Sequence, residues 1–378
     1  MPAEWSHSHA IANSDRYFGD VMRLTIAIVF MLAVSALFAE RAFTQENDSA
    51  AVRSAVEKSL PLLQRVGPAF VEQTGCASCH HNVLPAMAVA VARERGFRVD
   101  EKIAEQNKQG VYKMIGSARE KMLLGFGLPG DATTASYLLM QLGVDKHPAD
   151  KSTDAVVHYL MGKQFGDGRW KPVAYRPPME FSDITTTAVT IRVLQMYAPE
   201  GRAEETRKRI AMAGAWLARA RAVTAEERSL QLLGLGWAGA KKEDIQRAVK
   251  RVMDEQQADG GWSQLPGIAS DAYATGQALV ALHEAGGISI TDTAYRRGVE
   301  FLLKTQREDG SWLVQTRAIP LQRYFESGFP HGKNQWISAA GTSWATMALA
   351  MTIKPSNTVK LSSTVKPSST VAPARPAK

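Results

Sequence analysis

The chain has 378 residues, 45% hydrophobic and 22% charged, which is material for one large core or two ordinary ones and excludes a chain disordered throughout. Its 45 Lys and Arg against 37 Asp and Glu leave a net charge of +8, yet the basic residues are interleaved with acids. That pattern reads as solvated helix faces and speaks against a nucleic-acid partner.

In chain order, the first feature is LTIAIVFMLAVSALFA (24–39), preceded by Arg23 and closed by small residues such as Ala36 and Ala39. The run is short for a membrane span and about right for a signal-peptide core. Met22 can serve as an alternative start. Residues 1–45 are therefore expected to be a signal peptide or N-terminal anchor, which would give membrane association through this segment. The body is then exported, periplasmic or held on the outer side of the cytoplasmic membrane.

A helical pair follows: AVRSAVEKSLPLLQRV (51–66), then NVLPAMAVAVARERG (82–96). Outer helices near 101–117 and 151–164 come next. Later amphipathic runs are clean, with Ile245, Ala248, Val249, Val252 and Met253 on one stripe and Tyr295, Gly298, Val299, Leu302 and Leu303 on another. Between them stand more apolar segments beginning at Asp131, Asp183, Asp271 and Gly341. The three aspartates occupy N-cap positions. A further pair, 203–221 and 224–240, opens its second member with a Thr224/Glu227 capping box. Six amphipathic helices thus alternate with six nearly apolar ones. The simplest architecture is all-α, an (α/α)6 toroid of six outer and six inner helices over residues 50–353. An open superhelical solenoid is the alternative. Residues 354–378 repeat KPSNTV, KLSSTV, KPSSTV and read as a disordered low-complexity tail.

Three outer helices end in the same element: QFGDGRW (164–170), QQADGGW (256–262) and QREDGSW (306–312). Each is Q-x-x-D-G-x-W, with a turn at Asp-Gly. These resemble the QW repeats of the squalene–hopene cyclase and oxidosqualene cyclase family, whose α/α-toroid is shared with protein prenyltransferase β-subunits. The resemblance covers about 80–352 and implies a structural role for Gln164/Trp170, Gln256/Trp262 and Gln306/Trp312: Trp stacked on Gln, and Gln bonded to backbone of the next helix. The cyclases' acid motif, DxDDTA, is matched by DITTTA (183–188). Asp183 keeps the first Asp, while Thr185 and Thr186 replace the others. An alternative alignment of SDIT (182–185) with SDCT makes Asp183 the acid. Asp183 is thus the candidate catalytic residue, against its reading as an N-cap whose carboxylate the helix dipole favours. The family's triterpene cyclases carry two α-domains, and this chain has room for one. The prenyltransferase zinc triad is not recognisable.

Residues 75–80 read GCASCH, with the chain's only two cysteines. Cys-x-x-Cys-His is the attachment signature of haem c: Cys76 and Cys79 take the two vinyl groups, and His80 ligates iron. The alternatives are a Cys76–Cys79 disulfide and another metal such as zinc. Met114, Met122 and His147 are candidates for a sixth iron ligand. An apolar central cavity rimmed by Asp131, Asp183, Asp271, Trp336 and Trp344 completes the expected site.

Four functions follow from these expectations. The first is an exported cyclase-like toroid carrying haem c, active in redox chemistry with an electron-transfer partner and a hydrophobic, isoprenoid-like ligand. The second is a terpenoid cyclase using Asp183. The third is a carbohydrate-active (α/α)6 enzyme with paired carboxylates. The fourth is a binding module without turnover.

Overall fold

The computed structural model describes residues 49–320 and 323–355. The expected signal or anchor segment, and the tail beyond residue 355, lie outside the described residues. These residues belong, from Val52 on, to one compact unit. Among its described residues are twelve α-helices and no strand beyond one isolated bridge.

The outer helices are α1 (52–74 of the unit), α3 (Glu101–Leu123), α5 (Lys151–Gly162), α7 (Ala203–Arg219), α9 (Lys242–Met253) and α11 (Thr293–Thr305). The inner ones are α2 (Leu84–Glu94), α4 (Asp131–Val144), α6 (Asp183–Tyr197), α8 (Ala225–Trp237), α10 (Ala272–Glu284) and α12 (Gln335–Met351). A π-helical turn, Cys79–Val83, leads into α2. Each inner helix packs on the next, and α12 packs on α2, so the inner ring closes. Apolar residues lie nearly all round α4, α6, α10 and α12, because each is flanked on both sides and backed by the outer ring. Outer helices are wet on one face: α9 buries only Ala248 and Val252.

The three repeat elements act as fasteners. Gln164, Gln256 and Gln306 each donate to a backbone carbonyl of the following outer helix, Arg209 O at 3.0 Å, Ala294 O at 2.7 Å and Ala55 O at 2.8 Å. The last of these joins α11 to α1 and closes the outer ring. Trp170, Trp262 and Trp312 are fully buried. Each indole N–H donates to the carbonyl ten residues earlier, on its own outer helix. Each Trp backbone N–H donates to a threonine of the next inner helix, Thr187, Thr275 or Thr342. The Asp-Gly turn needs its glycine. Gly260 has φ +88°, and a Cβ there would stand 2.6 Å from Arg297 O.

Three expectations about helix starts change. Asp271 caps α10, accepting from Ala274 N at 2.9 Å. For α6 the cap is Ser182, one residue before Asp183. For α4 it is Gly130, with no side-chain bond. The Thr224/Glu227 capping box is formed. Helix α12 starts at Gln335, six residues before the expected Gly341.

Candidate functional site

All six inner helices begin at one end of the ring, and the cysteine segment joins α1 to α2 at that end. The slot filled elsewhere by Q-x-x-D-G-x-W is here filled by GCASCH. A buried asparagine replaces the fastening glutamine: Asn82 donates to Gly67 O of α1 at 3.0 Å and to Asn107 of α3 at 2.8 Å.

Cys76 and Cys79 are free thiols, Cys76 exposed and Cys79 buried. The alternative of a Cys76–Cys79 disulfide is therefore not formed. Cys79 donates to Glu180 Oε1 at 2.9 Å. Burial pushes its thiol well up, and the neighbouring carboxylate adds to this. Glu180 and Arg176 belong to a hairpin whose backbones pair both ways at 3.0 Å. Arg176 Nη1 lies 3.2 Å from His80 Nε2, and its guanidinium stacks over Trp336 at 4.3 Å.

The proton positions on the histidines follow from their partners. Arg176 only donates, so His80 Nε2 accepts. His80 therefore carries its proton on Nδ1 and donates to Nδ1 of His81. His81 is then protonated on Nε2, which donates to Ser327 Oγ at 2.9 Å. Ser327 donates to Gln335 Oε1 at 2.6 Å. Both imidazoles stay neutral. Burial depresses His80 well below its usual range and lowers His81 to about 3, with the Arg176 charge adding to both. Phe70 stacks on His81 with ring centroids 4.7 Å apart.

Deeper on the axis lies a carboxyl that the sequence reading did not single out. Glu226, in the first turn of α8, is buried. It accepts from Tyr273 Oη at 2.7 Å, Gln277 Nε2 at 2.7 Å and Thr185 Oγ1 at 3.2 Å. Burial raises it to about 7, against these three bonds. Tyr137 of α4 feels the charges of Glu226, Cys79 and Glu180. Helices α4 and α8 are separated by α6 in the ring. Tyr273 likewise feels Glu226 and Cys79.

The expected apolar lining is corrected in one respect: Glu226, Tyr273 and Gln277, at 2% exposure or less, form a hydrogen-bonded polar cluster among the inner helices, and Tyr137 and Trp344 are buried at 3%. Trp336, His80, Arg176 and Glu180 belong to a second cluster, around Cys79. A small side pocket of about 10 Å³, room for one water, lies elsewhere, lined by Leu63, Gln64, Pro85, Val89, Asn107 and Asp145 among others.

The expected aspartates are not gathered. Asp183 Oδ2 faces Arg169 Nε of the repeat turn at 3.1 Å. Burial raises its carboxyl, while Arg169 pulls it down. Asp131 accepts from Tyr159, and Asp271 accepts from Gln264 and its own helix. No hydrogen bond or ion pair links any two of the three. Met114 Sδ accepts from Ala77 N at 3.3 Å, beside the cysteines. Met122 is buried in the core, and His147 lies near Asp150 at the other end of the ring. Among the described residues no group of three His, Cys, Asp or Glu side chains is placed to hold a metal ion by itself.

A ring of this kind, with tryptophans fastening outer helices to inner ones, defines a squalene-cyclase-like α/α-toroid. Residues 177–331 and 220–361 match the squalene-hopene cyclase C-terminal domain. A squalene–hopene cyclase of Bradyrhizobium diazoefficiens is 29% identical over 217 residues, 48% of this chain and 32% of that protein. Lanosterol synthase of Aspergillus fumigatus is 36% identical over 103 residues, 27% of this chain and 13% of that one. Drimenyl diphosphate synthase of Streptantibioticus cattleyicolor is 38% identical over 66 residues, 18% of this chain and 12% of that one. The chain thus spans a third or less of these relatives. Among solved structures, the type II terpene cyclase MstE from Scytonema superposes with TM-score 0.53 at 14% identity, covering 81% of this chain and 98% of that one. At that identity the likeness is one of fold.

Proposed function

We propose that this chain is an exported toroid that carries a covalent c-type haem on Cys76, Cys79 and His80, and passes electrons to or from a hydrophobic, isoprenoid-like molecule. The observation that carries the reading is the His80 tautomer: its Nε2 lone pair is free of a proton, and Nδ1–H is anchored on His81. An iron-ligating histidine needs that form. The donor set fits haem in kind, with two free thiols and a neutral imidazole. Cys76 and Cys79 would hold the group as thioethers, each thiol adding across a vinyl C=C with its hydrogen passing to the neighbouring carbon, so that no oxidant would be required. Cys79 and His80 are covered by the Arg176–Glu180 hairpin, which has to stand off during attachment. Haem supplies a one-electron redox change at this end of the ring. The chain's own residues hold His80 neutral and keep a cation, Arg176, beside it. Exposed apolar side chains on the same end, Leu124, Phe126 and Tyr175 among them, support a hydrophobic reaction partner.

The test is a reduced pyridine-haemochrome spectrum of protein exported into a compartment with c-type maturation. An α band that disappears in Cys76→Ser/Cys79→Ser is the expected result. A wild-type spectrum equal to a haem-free control overturns the reading.

A second reading rests on Glu226. A buried carboxyl held near neutrality, with three donors ready to stabilise its anion, suits general acid chemistry on an alkene. Its proton adds to one alkene carbon, the cation forms at the other, and loss of a proton from the final cation returns it. Asp183 suits this less, because its carboxylate faces a guanidinium. Incubation with short polyprenes should show turnover lost in Glu226→Gln and kept in Asp183→Asn; the reverse pattern restores Asp183, and turnover equal in all three removes both residues.

A further inference from the structure

The histidine doublet has a second member, His81, for which the attachment signature has no use. It is buried, stacked on Phe70 and hydrogen-bonded on both ring nitrogens. We propose that His81, backed by Ser327 and Gln335, is the positioning residue that fixes His80 as its Nδ1–H tautomer and so prepares Nε2 as the donor atom for an electron-pair acceptor.

A row of hydrogen bonds between neutral groups runs one way or the other, and its ends choose which. At one end Arg176 can only donate, into His80 Nε2. At the other, Gln335 Nε2 donates to Phe325 O, which orients the amide and leaves Gln335 Oε1 as an acceptor. That oxygen accepts from both Ser327 N, at 2.8 Å, and Ser327 Oγ. Ser327 Oγ has thereby spent its hydrogen and must accept from His81 Nε2. His81 Nδ1 is then a bare lone pair facing His80 Nδ1, which must carry the proton. Two residues far away in sequence, on the connection before α12 and at its start, thus decide which nitrogen of His80 is basic. Arg176 occupies that nitrogen in this arrangement. An electron-pair acceptor arriving there displaces one guanidinium bond and finds the imidazole already turned and in the right form.

The class of ligand is a Lewis-acidic metal centre; identifying it with haem iron rests on the reading above, while the tautomer itself does not. The two are tested separately. Two-bond 15N–1H correlation spectra of the haem-free protein report the tautomers directly. The wild type should show His80 protonated on Nδ1 and His81 on Nε2. Ser327→Ala removes the acceptor and should move His80 towards a mixture of tautomers. Ser327→Thr, which restores a hydroxyl, should return the wild-type pattern. His80 found protonated on Nε2 in the wild type, or a Ser327→Ala spectrum identical to wild type, overturns the proposal. In haem-loaded protein, Ser327→Ala should raise the midpoint potential at unchanged haem content, because a weaker Nδ1–H bond makes His80 a poorer donor. An unchanged potential removes His81 as a tuning group.

Discussion

The two ends of the toroid are built differently. At the end where inner helices begin, three connections, 163–182, 254–271 and 306–334, are long and hold the tryptophan fasteners. The cysteine segment lies there too. At the other end the described connections are short and polar: 95–100, 145–150, 198–202, 238–241 and 285–292. Of the eleven exposed large hydrophobics among the described residues, all but Met212 sit at the first end. They occupy the last residue of α3 or the connections leading into α4, α6, α8, α10 and α12. One end therefore carries chemistry-bearing side chains and apolar surface together, and the other only turns the chain round. Helix pairs need both kinds of turn, but only the first kind has been elaborated.

The largest way to break this contrast is to remove a fastener. Trp262→Ala should cost about 3–5 kcal/mol, from the cavity and the lost bond to Val252 O. Urea unfolding measures it, and a cost near 1 kcal/mol would mean that the long connections do not hold the ring together.

Next comes a buried acid at each end. Glu226 lies at the elaborated end. Its folded value, about 7, is above its ordinary 4.5, so ionisation costs stability. The penalty is absent below about 4.5, grows through 7 and is complete above it, amounting to about 3 kcal/mol. Glu226→Gln should gain on wild type by that amount between pH 4.5 and pH 8. Equal pH profiles would show that Glu226 is hydrated.

Asp145, at the plain end, is raised by burial from 3.8 to about 6. Asp145→Asn should show the same sign in a lower window, between about 4 and 6, and a smaller gain of about 1–2 kcal/mol because its site is partly open. Thermal melts at pH 4 and pH 7 measure it. A gain exceeding that of Glu226→Gln would invert the ranking of the two ends.

The smallest stability effect belongs to the apolar surface. Leu124→Ser with Phe126→Ser should change stability by less than about 0.5 kcal/mol. It should clearly shorten retention on a phenyl column, and Arg98→Ser at the plain end should not. Equal retention of all variants would mean that the apolar side chains are not presented as a surface.

The sequence made the ring legible because helical periodicity is local and the repeat element recurs with fixed spacing. Most helices lie close to their expected places, though α1 and α3 run on to 74 and Leu123, past the expected 66 and 117. The start of α12 was missed because Gln335–Ala340 carries no side-chain cap, and Gly341 looks like a boundary. Asp183 reads from the sequence as an acid or a cap, yet Ser182 beside it is equally able to cap and does so. Glu226 escaped notice beside Glu227, whose capping box explained the pair. A signal was present: Tyr137/Gln141 and Tyr273/Gln277 are polar pairs at i, i+4 on otherwise apolar helices, which marks one face as different. The partners of Cys79 and His80 could not be read, because Glu180, Arg176 and Trp336 lie about 100 to 256 positions away. Nothing local encodes that meeting; it follows only from closure of the ring.

The bond from Gln306 to Ala55 is chemically the same clasp that Gln164 and Gln256 make within the chain. Arg95, at the end of α2, likewise grips Met351 O at the last residue of α12 and Ile353 O just past it. The join between first and last helices is therefore one more repeat boundary, with no peptide bond across it. A gene rewired to link these helices and cut instead at the exposed turn near Gly239 should still encode the same ring, since its architecture has no privileged beginning.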